Sequence, residues 1–325
     1  MPMDFTPLAN LLKQADNFAL ITHEKPDGDA VGSCQAMAAL IEQQGKKATV
    51  CLVGPCPAPY RFLLAGKDSL DILHQPFPTG TEAILILDTG TWNQLGAGKT
   101  WLQHQTLPRL VLDHHRTQDD LGGPALVDTS AEATGTLVHQ AYQYFGLQPS
   151  RPAALALFTA IAFDTGWFRH SNVGPGTFQV AGELVSLGAD PTFIYRQVHQ
   201  QEPIRRMLLK GRALSSLKLF QGGKVCSLHL SHQDFLDTGC TLSDSEGLSD
   251  LPRQIAGVEV AIALFEEAPG KVRASLRSSG AIDVGKVAES FAGGGHKAAA
   301  GCRLEMDLNS AESALLDSIS VQIGD

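Results

Sequence analysis

The chain has 325 residues, 43% of them apolar and 18% charged, with a formal net charge of −9. This is an ordinary globular composition, long enough for two cores rather than one. There is no apolar run of roughly 18 residues, which excludes a conventional membrane-spanning helix, and the acidic balance excludes a general coat on long nucleic acid. The opening MPMDFTPLANLLKQ lacks a basic stretch followed by an apolar one, so no secretory signal is read and a cytoplasmic location is expected. Six cysteines, at 34, 51, 56, 226, 240 and 302, form no Cys-x-x-Cys pair, which argues against a zinc knuckle and against a disulfide framework. Residues 1–190 carry −7 and the remainder −2, so an anionic substrate must be drawn by local charge or by bound metal.

In chain order, residues 8–16 read as a short helix, 18–22 as a buried strand and 30–44 as a helix. Residues 48–53 form a strand closed by Gly54-Pro55. Residues 83–87 (AILIL) form an all-apolar strand closed by Asp88-Thr89-Gly90, and residues 110–112 form another, closed by Asp113-His114-His115-Arg116. A short strand at 126–128 and a helix at 134–145 follow. The helix at 152–163 is nearly all apolar, hence buried, and ends in Asp164-Thr165-Gly166; another helix covers 177–187. Strands alternating with helices predict an α/β fold with a parallel sheet covered on both faces. Residues 194–219 are charged and mostly helical in pattern and read as a connection. A second, smaller α/β pattern comes next, with strands at 225–230, 258–265 and 272–276, a helix at 282–291, and then Gly293-Gly294-Gly295-His296. The expected division is a catalytic domain at 1–190, a helical hinge at 191–215 and a substrate-binding domain at 216–325.

Ligands in open α/β sheets bind at the carboxyl ends of strands. Those ends, with the end of the apolar helix at 152–163, collect His23, Asp27, Asp29, Asp88, His114 and Asp164. Four carboxylates in one pocket cannot all ionise without a counter-charge. Two divalent cations balance them, and mixed carboxylate and imidazole ligation suits manganese, with magnesium, cobalt, iron or zinc as alternatives. A pair of such ions is a known device for phosphoryl chemistry.

Plainer readings compete. A strand-end aspartate such as Asp88 or Asp113 is often only a helix N-cap. Asp27-x-Asp29 with Gly32 imitates a calcium loop, but Val31 and Ala38 stand where oxygen ligands are needed. The Asp-Thr-Gly triplets at 88–90 and 164–166 imitate an aspartic protease, but one follows a βα strand and the other a helix. In the C-terminal part, Arg273, Ser275 and Arg277 alternate onto one face of a strand, where arginine forks suit phosphate or a planar base. The triple glycine reads as backbone N–H groups forming an anion nest, with His296 and Lys297 beside it.

Taken together, His23-x-x-x-Asp27-x-Asp29-Ala-x-Gly-Ser, Asp88, Asp113-His114-His115-Arg116, Asp164 in FDTGWFRHSN, and RASLRS with GGGHKAAAG resemble the DHH phosphoesterase superfamily with its DHH-associated substrate-binding domain. The resemblance spans nearly the whole chain and is strongest to the NrnA-like group of bifunctional oligoribonucleases (nanoRNases) and 3′-phosphoadenosine 5′-phosphate (pAp) phosphatases. It implies a metal-dependent hydrolase that cleaves short RNA to mononucleotides, pAp to AMP, or both, by attack of a hydroxide shared between two metals. It implies that His23, Asp27 and Asp88 hold one ion, that Asp29, Asp88, His114 and Asp164 hold the other, and that Asp88 bridges. Asp113 would orient a histidine, His115 and Arg116 would face the scissile phosphate, and Arg277, Ser278 and His296 would grip the far end of the substrate. Arg273, Ser275 and Gly293 to Gly295 complete the expected substrate contacts. Ala292 departs from the family, which commonly has glycine there.

The implied partners are short RNA or nucleotides, not a membrane and not long nucleic acid. Oligomeric state, a homodimer included, is left open. Three alternatives stay in play: a phosphodiesterase for cyclic di-AMP or linear pApA, an inorganic pyrophosphatase or polyphosphatase, and a non-catalytic nucleotide sensor.

Overall fold

The computed structural model of the chain describes residues 3–64, 66, 69–280 and 282–323, the last without its side chain; the outer ends of the two expected domains lie outside the described residues. Packing divides the chain into two compact units, Met1–Gln201 and Glu202–Asp325.

The first unit opens with α1 (Thr6–Gln14), β1 (Asn17–Ile21), α2 (Gly28–Gln43) and β2 (Lys47–Leu52), then a 3-10 segment at Ala58–Leu64 and the two-residue β3 (Leu70–Asp71). It continues with β4 (Ala83–Leu87), α3 (Gly98–Gln103), β5 (Arg109–Asp113), β6 (Ala125–Val127), α4 (Thr134–Tyr144), α5 (Arg151–Asp164), α6 (Pro175–Ser186) and α7 (Pro191–His199). The strands form one sheet in the order β3-β2-β1-β4-β5-β6, and every pairing is parallel.

The apolar runs of β1, β4 and β5 follow from burial on both faces. Phe18, Leu20, Leu85, Leu87, Leu110 and Leu112 pack on one side with residues of α2, α4 and α5. Ala19, Ile21, Ile84, Ile86 and Val111 pack on the other with Leu95, Leu102 and Leu121. The chain leaves β1 in one direction to reach β2 and crosses to β4 in the other. Neighbouring carboxyl ends at such a reversal open a crevice, and this one lies between β1 and β4. Gly32 lets α2 lie tightly on α5: a Cβ there would stand 2.5 Å from the Ala156 carbonyl oxygen.

The second unit comprises α8 (Ile204–Ser215), β7 (Lys218–Phe220), β8 (Val225–Leu230), α9 (His232–Thr238), β9 (Val260–Ala268), β10 (Lys271–Ser278), α10 (Val284–Glu289), β11 (Gly294–His296), β12 (Ala299–Leu304) and α11 (Leu308–Ile323). Its sheet runs β11-β12-β10-β9-β8-β7, antiparallel except for the β8–β9 pair. One face packs Ile262, Leu264, Val272, Ala274 and Leu276 with Val284, Val287, Ala311 and Leu315. The other face is covered over β8 and β9, where Leu228, Leu230, Ala263 and Phe265 meet Leu209, Ala213, Phe235 and Leu248.

The α/β architecture is as the sequence predicts, although the short α3 and α9, the strands β7 and β12 and the C-terminal α11 were not read from it, and two stretches that were read take a different form. The charged segment 194–219 is not one helix: α7 ends at His199 and α8 begins at Ile204, just after Pro203, which disfavours helix at the residue before it. The glycine-rich stretch is not a free turn: Gly294 to His296 form β11, an edge strand paired with β12. Ala292, immediately before it, has φ of +55°, a left-handed conformation that glycine adopts without the Cβ clash.

Candidate metal centre

His23 follows β1, Asp88 follows β4, Asp113 ends β5, and His114 and His115 come directly after it. The βα turns therefore deliver them to the crevice. Asp27 is the N-cap of α2, its Oδ1 accepting the Asp29 and Ala30 N–H groups at 3.0 and 3.1 Å. Its Oδ2 points elsewhere, to within 3.7 Å of His23 Nε2. Capping and ligation are thus divided between the two oxygens of one carboxylate. Asp88 and Asp113, the two candidates for that role in the sequence, cap no helix among the described residues. Asp88 instead adopts φ of +58°, a conformation rare outside glycine that turns its side chain at the strand end at an energetic cost.

The ligand-type atoms gather in overlapping groups. His23, Asp27 and Asp88 form one; Asp29, His114 and Asp164 form another; Asp88, His114 and His115 form a third, and within each group the candidate ligand atoms lie within 4.8 Å of one another. Asp88 divides its oxygens between the sides. Oδ2 is 3.5 Å from His23 Nε2, and Oδ1 is 3.5 Å from His114 Nε2. His114 Nε2 is 3.1 Å from Asp164 Oδ2 and 3.8 Å from Asp29 Oδ2.

Asp29 is fully buried. It accepts Ser33 Oγ at 2.7 Å, the Thr134 N–H at 2.7 Å and the Gly135 N–H at 2.9 Å. The last two are free N–H groups at the start of α4, which has no side-chain cap of its own. Asp29 therefore caps that helix from a position 105 residues earlier in the chain.

Electrostatics shows the strain of this gathering. Burial, with the Asp164 charge added, lifts the Asp29 carboxyl to about 7. Burial and the surrounding aspartates push Asp88 well above the usual carboxylate range. Burial also raises Asp27, against the opposing pull of His23, and lowers His23. Burial lowers His114 as well, but the Asp164 and Asp29 carboxylates outweigh it and hold the imidazole at about 9.

The residues fit divalent cations on this structure's own terms. His114 Nδ1 donates to the Ala131 carbonyl at 3.2 Å. That leaves Nε2 as the ligand atom; it is buried, and Asp164 Oδ2 at 3.1 Å is not aligned to complete a hydrogen bond with it. A metal ion would satisfy it and neutralise the carboxylates together.

Asp113 stands behind the cluster. It is buried and accepts His115 Nδ1–H at 2.8 Å and Gln118 Nε2–H at 2.6 Å. Burial pushes its carboxyl up, but these bonds outweigh the push and hold it below the usual range. The Asp113 bond in turn raises His115, whose side chain is 39% exposed. Arg116 is exposed and makes no hydrogen bond or ion pair among the described residues. An open cavity of about 470 Å³ is lined by His23, Asp27, Asp88, His115 and Asp164.

Two supporting residues were not legible in the sequence. Thr134 Oγ1 donates to Asp88 Oδ1 at 3.0 Å, and Gln118 braces Asp113. The start of α4 was readable from its apolar spacing, but its approach to Asp29 and Asp88 was not.

In the second unit, Arg273, Ser275 and Arg277 share the face of β10 that alternates with the buried Val272, Ala274 and Leu276. They line a cavity of about 550 Å³ with Gly293, Gly294, Gly295, Gly301 and Arg303. Gly293 permits this closeness: a Cβ there would stand 2.3 Å from the Gly301 carbonyl oxygen. Ser278 does not share that face. The strand's two-residue alternation turns it inward, it is buried, and its hydroxyl accepts the Gly280 N–H at 3.0 Å. His296 is exposed at the end of β11.

Comparison with known proteins agrees with this arrangement. Residues 17–162 match the DHH family N-terminal domain, and residues 223–322 match the DHHA1 domain. The chain is 28% identical over 318 residues to the bifunctional oligoribonuclease and PAP phosphatase NrnA of Thermus thermophilus, covering 97% of this chain and 93% of that one. It is 25% identical to the protein of the same name from Bacillus subtilis, over 92% of this chain and 93% of that one. It is also 25% identical to the cyclic-di-AMP phosphodiesterase PdeA of Listeria monocytogenes, over 96% of this chain but 48% of that longer protein. The fold matches the crystal structure of an exopolyphosphatase-related protein from Bacteroides fragilis, with a TM-score of 0.80 at 24% identity over 98% of this chain and 96% of that one. The chain thus carries a DHH family N-terminal domain over residues 17–162 followed by a DHHA1 domain over residues 223–322.

Proposed function

We propose that this protein is a divalent-metal-dependent phosphoesterase that hydrolyses short oligoribonucleotides to mononucleotides and pAp to AMP. The carrying observation is the pair of histidine–aspartate groups joined through the two oxygens of Asp88, in a chain that covers nearly the full length of the NrnA relatives. His23, Asp27 and Asp88 would hold one ion, and Asp29, Asp88, His114 and Asp164 the other. Manganese is our choice for both, because mixed imidazole and carboxylate ligation suits it. Bound there, the ions supply positive charge to the phosphate oxygens and lower the pKa of water, the nucleophile of the hydrolysis.

The chain's own residues do the rest. Asp27 and His114 offer ligand atoms already fixed by the α2 cap and the Ala131 carbonyl. Asp113 orients His115 through Nδ1, leaving Nε2 to carry a proton. As water adds to phosphorus and the P–O ester bond breaks, His115 Nε2–H protonates the departing oxygen. Arg116, exposed on the loop after β5, would approach the scissile phosphate. Arg273, Ser275 and Arg277, with the glycine strand at 293–295 and His296, would bind the remainder of the substrate, arginine forks matching phosphate geometry. Residues 1–190 and 216–325 serve as catalytic and substrate-binding domains in this reading, with 191–215 as the hinge. Six free, buried cysteines fit a reducing cytoplasmic setting.

The test is turnover of pAp and of two- to five-nucleotide RNA with manganese. Full activity after chelation, or in Asp88→Ala, sinks the two-metal reading. The likeness to PdeA supports a second reading, in which pApA or cyclic di-AMP is the better substrate. Including both in the same assay decides between them, and any metal-dependent turnover removes a purely sensory role.

A further inference from the structure

On the open part of the second unit's sheet, β10 and β12 are antiparallel, and their register sets Arg273 directly opposite Arg303. Both are exposed, and both line the 550 Å³ cavity. Like charges directly opposite one another destabilise a sheet. At the near end of this ladder the charges are ordinary, Lys271 Nζ lying 4.0 Å from Oε2 of Glu305, the residue just after β12. The two arginines are therefore not the default choice of this surface. Among the described residues Arg303 meets one carboxylate, Glu267, at 3.5 Å, and its side chain is 77% exposed. Arg273 has no ion pair among the described residues. Between this pair and Arg277 the floor is Ser275 and Gly301, opposite each other, too small to block a ligand lying along the strand. Four residues of extended strand separate Arg273 from Arg277, about 13 Å. Successive backbone phosphates flank a single nucleoside, as the two phosphates of pAp do, and both spacings are shorter than this gap. It suits phosphates two nucleotide steps apart, which an oligonucleotide has and pAp lacks.

We propose that the Arg273–Arg303 pair is a second phosphate subsite, which grips a backbone phosphate beyond the group held at Arg277 and the glycine strand and so favours chains of several nucleotides over pAp. Arg303 is the specificity-determining member, since nothing else on its strand carries positive charge toward the cavity. Glu267 is its resting partner and releases it when a phosphate arrives. The identity of the polyanion rests on the phosphoesterase reading above; the subsite itself rests on the register.

The experiment measures binding of a fluorescein-labelled, 5′-phosphorylated pentaribonucleotide and of pAp to the full chain in EDTA, across a range of salt. Arg303→Gln is expected to weaken the pentanucleotide by about 10-fold, the scale of one charge-assisted hydrogen bond, and to weaken pAp distinctly less. The slope of log affinity against log salt should fall by about 0.7, as for loss of one phosphate contact on a single strand. Arg303→Lys, which keeps the charge, should keep most of the slope. Equal losses for pAp and the pentanucleotide, or no loss for the pentanucleotide, overturn the proposal. Because binding is read without turnover, an intact difference between wild type and Arg303→Gln in a protein that hydrolyses neither ligand would remove the phosphoesterase reading and leave the subsite standing. Hydrolysis with no such difference would do the reverse.

Discussion

Thr134 Oγ1 donates to Asp88 Oδ1 at 3.0 Å, while the Thr134 N–H donates to Asp29 Oδ2 at 2.7 Å. One residue at the start of α4 thus holds two carboxylates that belong to different ligand groups. Thr134→Val keeps the shape and the backbone bond but removes the hydroxyl. We expect divalent-metal affinity to fall about 10-fold, within the range for loss of a residue that orients a ligand, and Thr134→Ser to restore it. Calorimetric titration of the metal-free protein reads this directly; unchanged affinity in Thr134→Val would show that Asp88 needs no such tether.

His115 lies near Asp88, its Nδ1 3.8 Å from Oδ1, but is bound to Asp113 at 2.8 Å. As a proton donor it should matter for rate rather than for loading. His115→Gln is expected to lower kcat by about 100-fold or more with metal affinity changed only slightly. Asp113→Asn should lower kcat as well, because it removes the charge that raises His115. If metal affinity and kcat fell together in His115→Gln, His115 would be a ligand, not an acid.

The pH dependence follows from the buried charges. Asp29 is held at about 7 against an ordinary 3.8, so the stability it contributes to the metal-free fold is present below 3.8 and lost as pH rises through 7. His114, at about 9 against 6.5, contributes stability below 6.5 that is lost as pH rises through 9. A divalent ion takes the place of these protons. Its stabilising effect, read as the rise in Tm on adding manganese, should therefore be larger at about pH 8.5 than at about pH 5.5. An equal or smaller rise at the higher pH contradicts the proposed ligand set.

Ala292 stands at φ of +55° directly before the glycine strand. Ala292→Gly should stabilise the protein by about 1 kcal/mol by removing the Cβ clash of a left-handed residue. A higher urea midpoint with an unchanged slope is the expected result. A lower midpoint would mean that the Ala292 methyl packs more favourably than its backbone is strained.

Gly32→Ala tests the close approach of α2 and α5. The new Cβ would meet the Ala156 carbonyl oxygen at 2.5 Å, so a loss of about 1–3 kcal/mol is expected, the usual cost of overpacking. Because Asp29 lies in the first turn of α2 and Asp164 ends α5, metal affinity should fall with stability. A stable variant with normal affinity would show that the helices part without disturbing the centre.

How much of this was legible in the sequence depends on the range of each interaction. The strands at 18–22, 83–87 and 110–112 were readable because burial on both faces leaves an uninterrupted apolar run. Once those strands are placed, chain connectivity alone puts His23, Asp88 and His114 at their carboxyl ends. The spacing from His23 to Asp27 to Asp29 is local, so the sequence alone determined that one turn would present all three. The two oxygens of Asp27 and of Asp88 are a different matter, because which oxygen caps a helix and which meets a histidine is set by side-chain packing.

Asp29 meets Thr134 across a sequence separation of 105 residues, and no local pattern marks that contact. The glycines at 294 and 295 have no side chain with which to declare a strand, and they became β11 only because β12 supplied a partner. Arg303 is one more charged residue until strand register places it opposite Arg273. Composition, apolar period and motif spacing therefore determined the two α/β patterns and the candidate ligands. Tertiary structure alone decided how the carboxylates are shared and where like charges meet, because both depend on contacts between segments far apart in the chain.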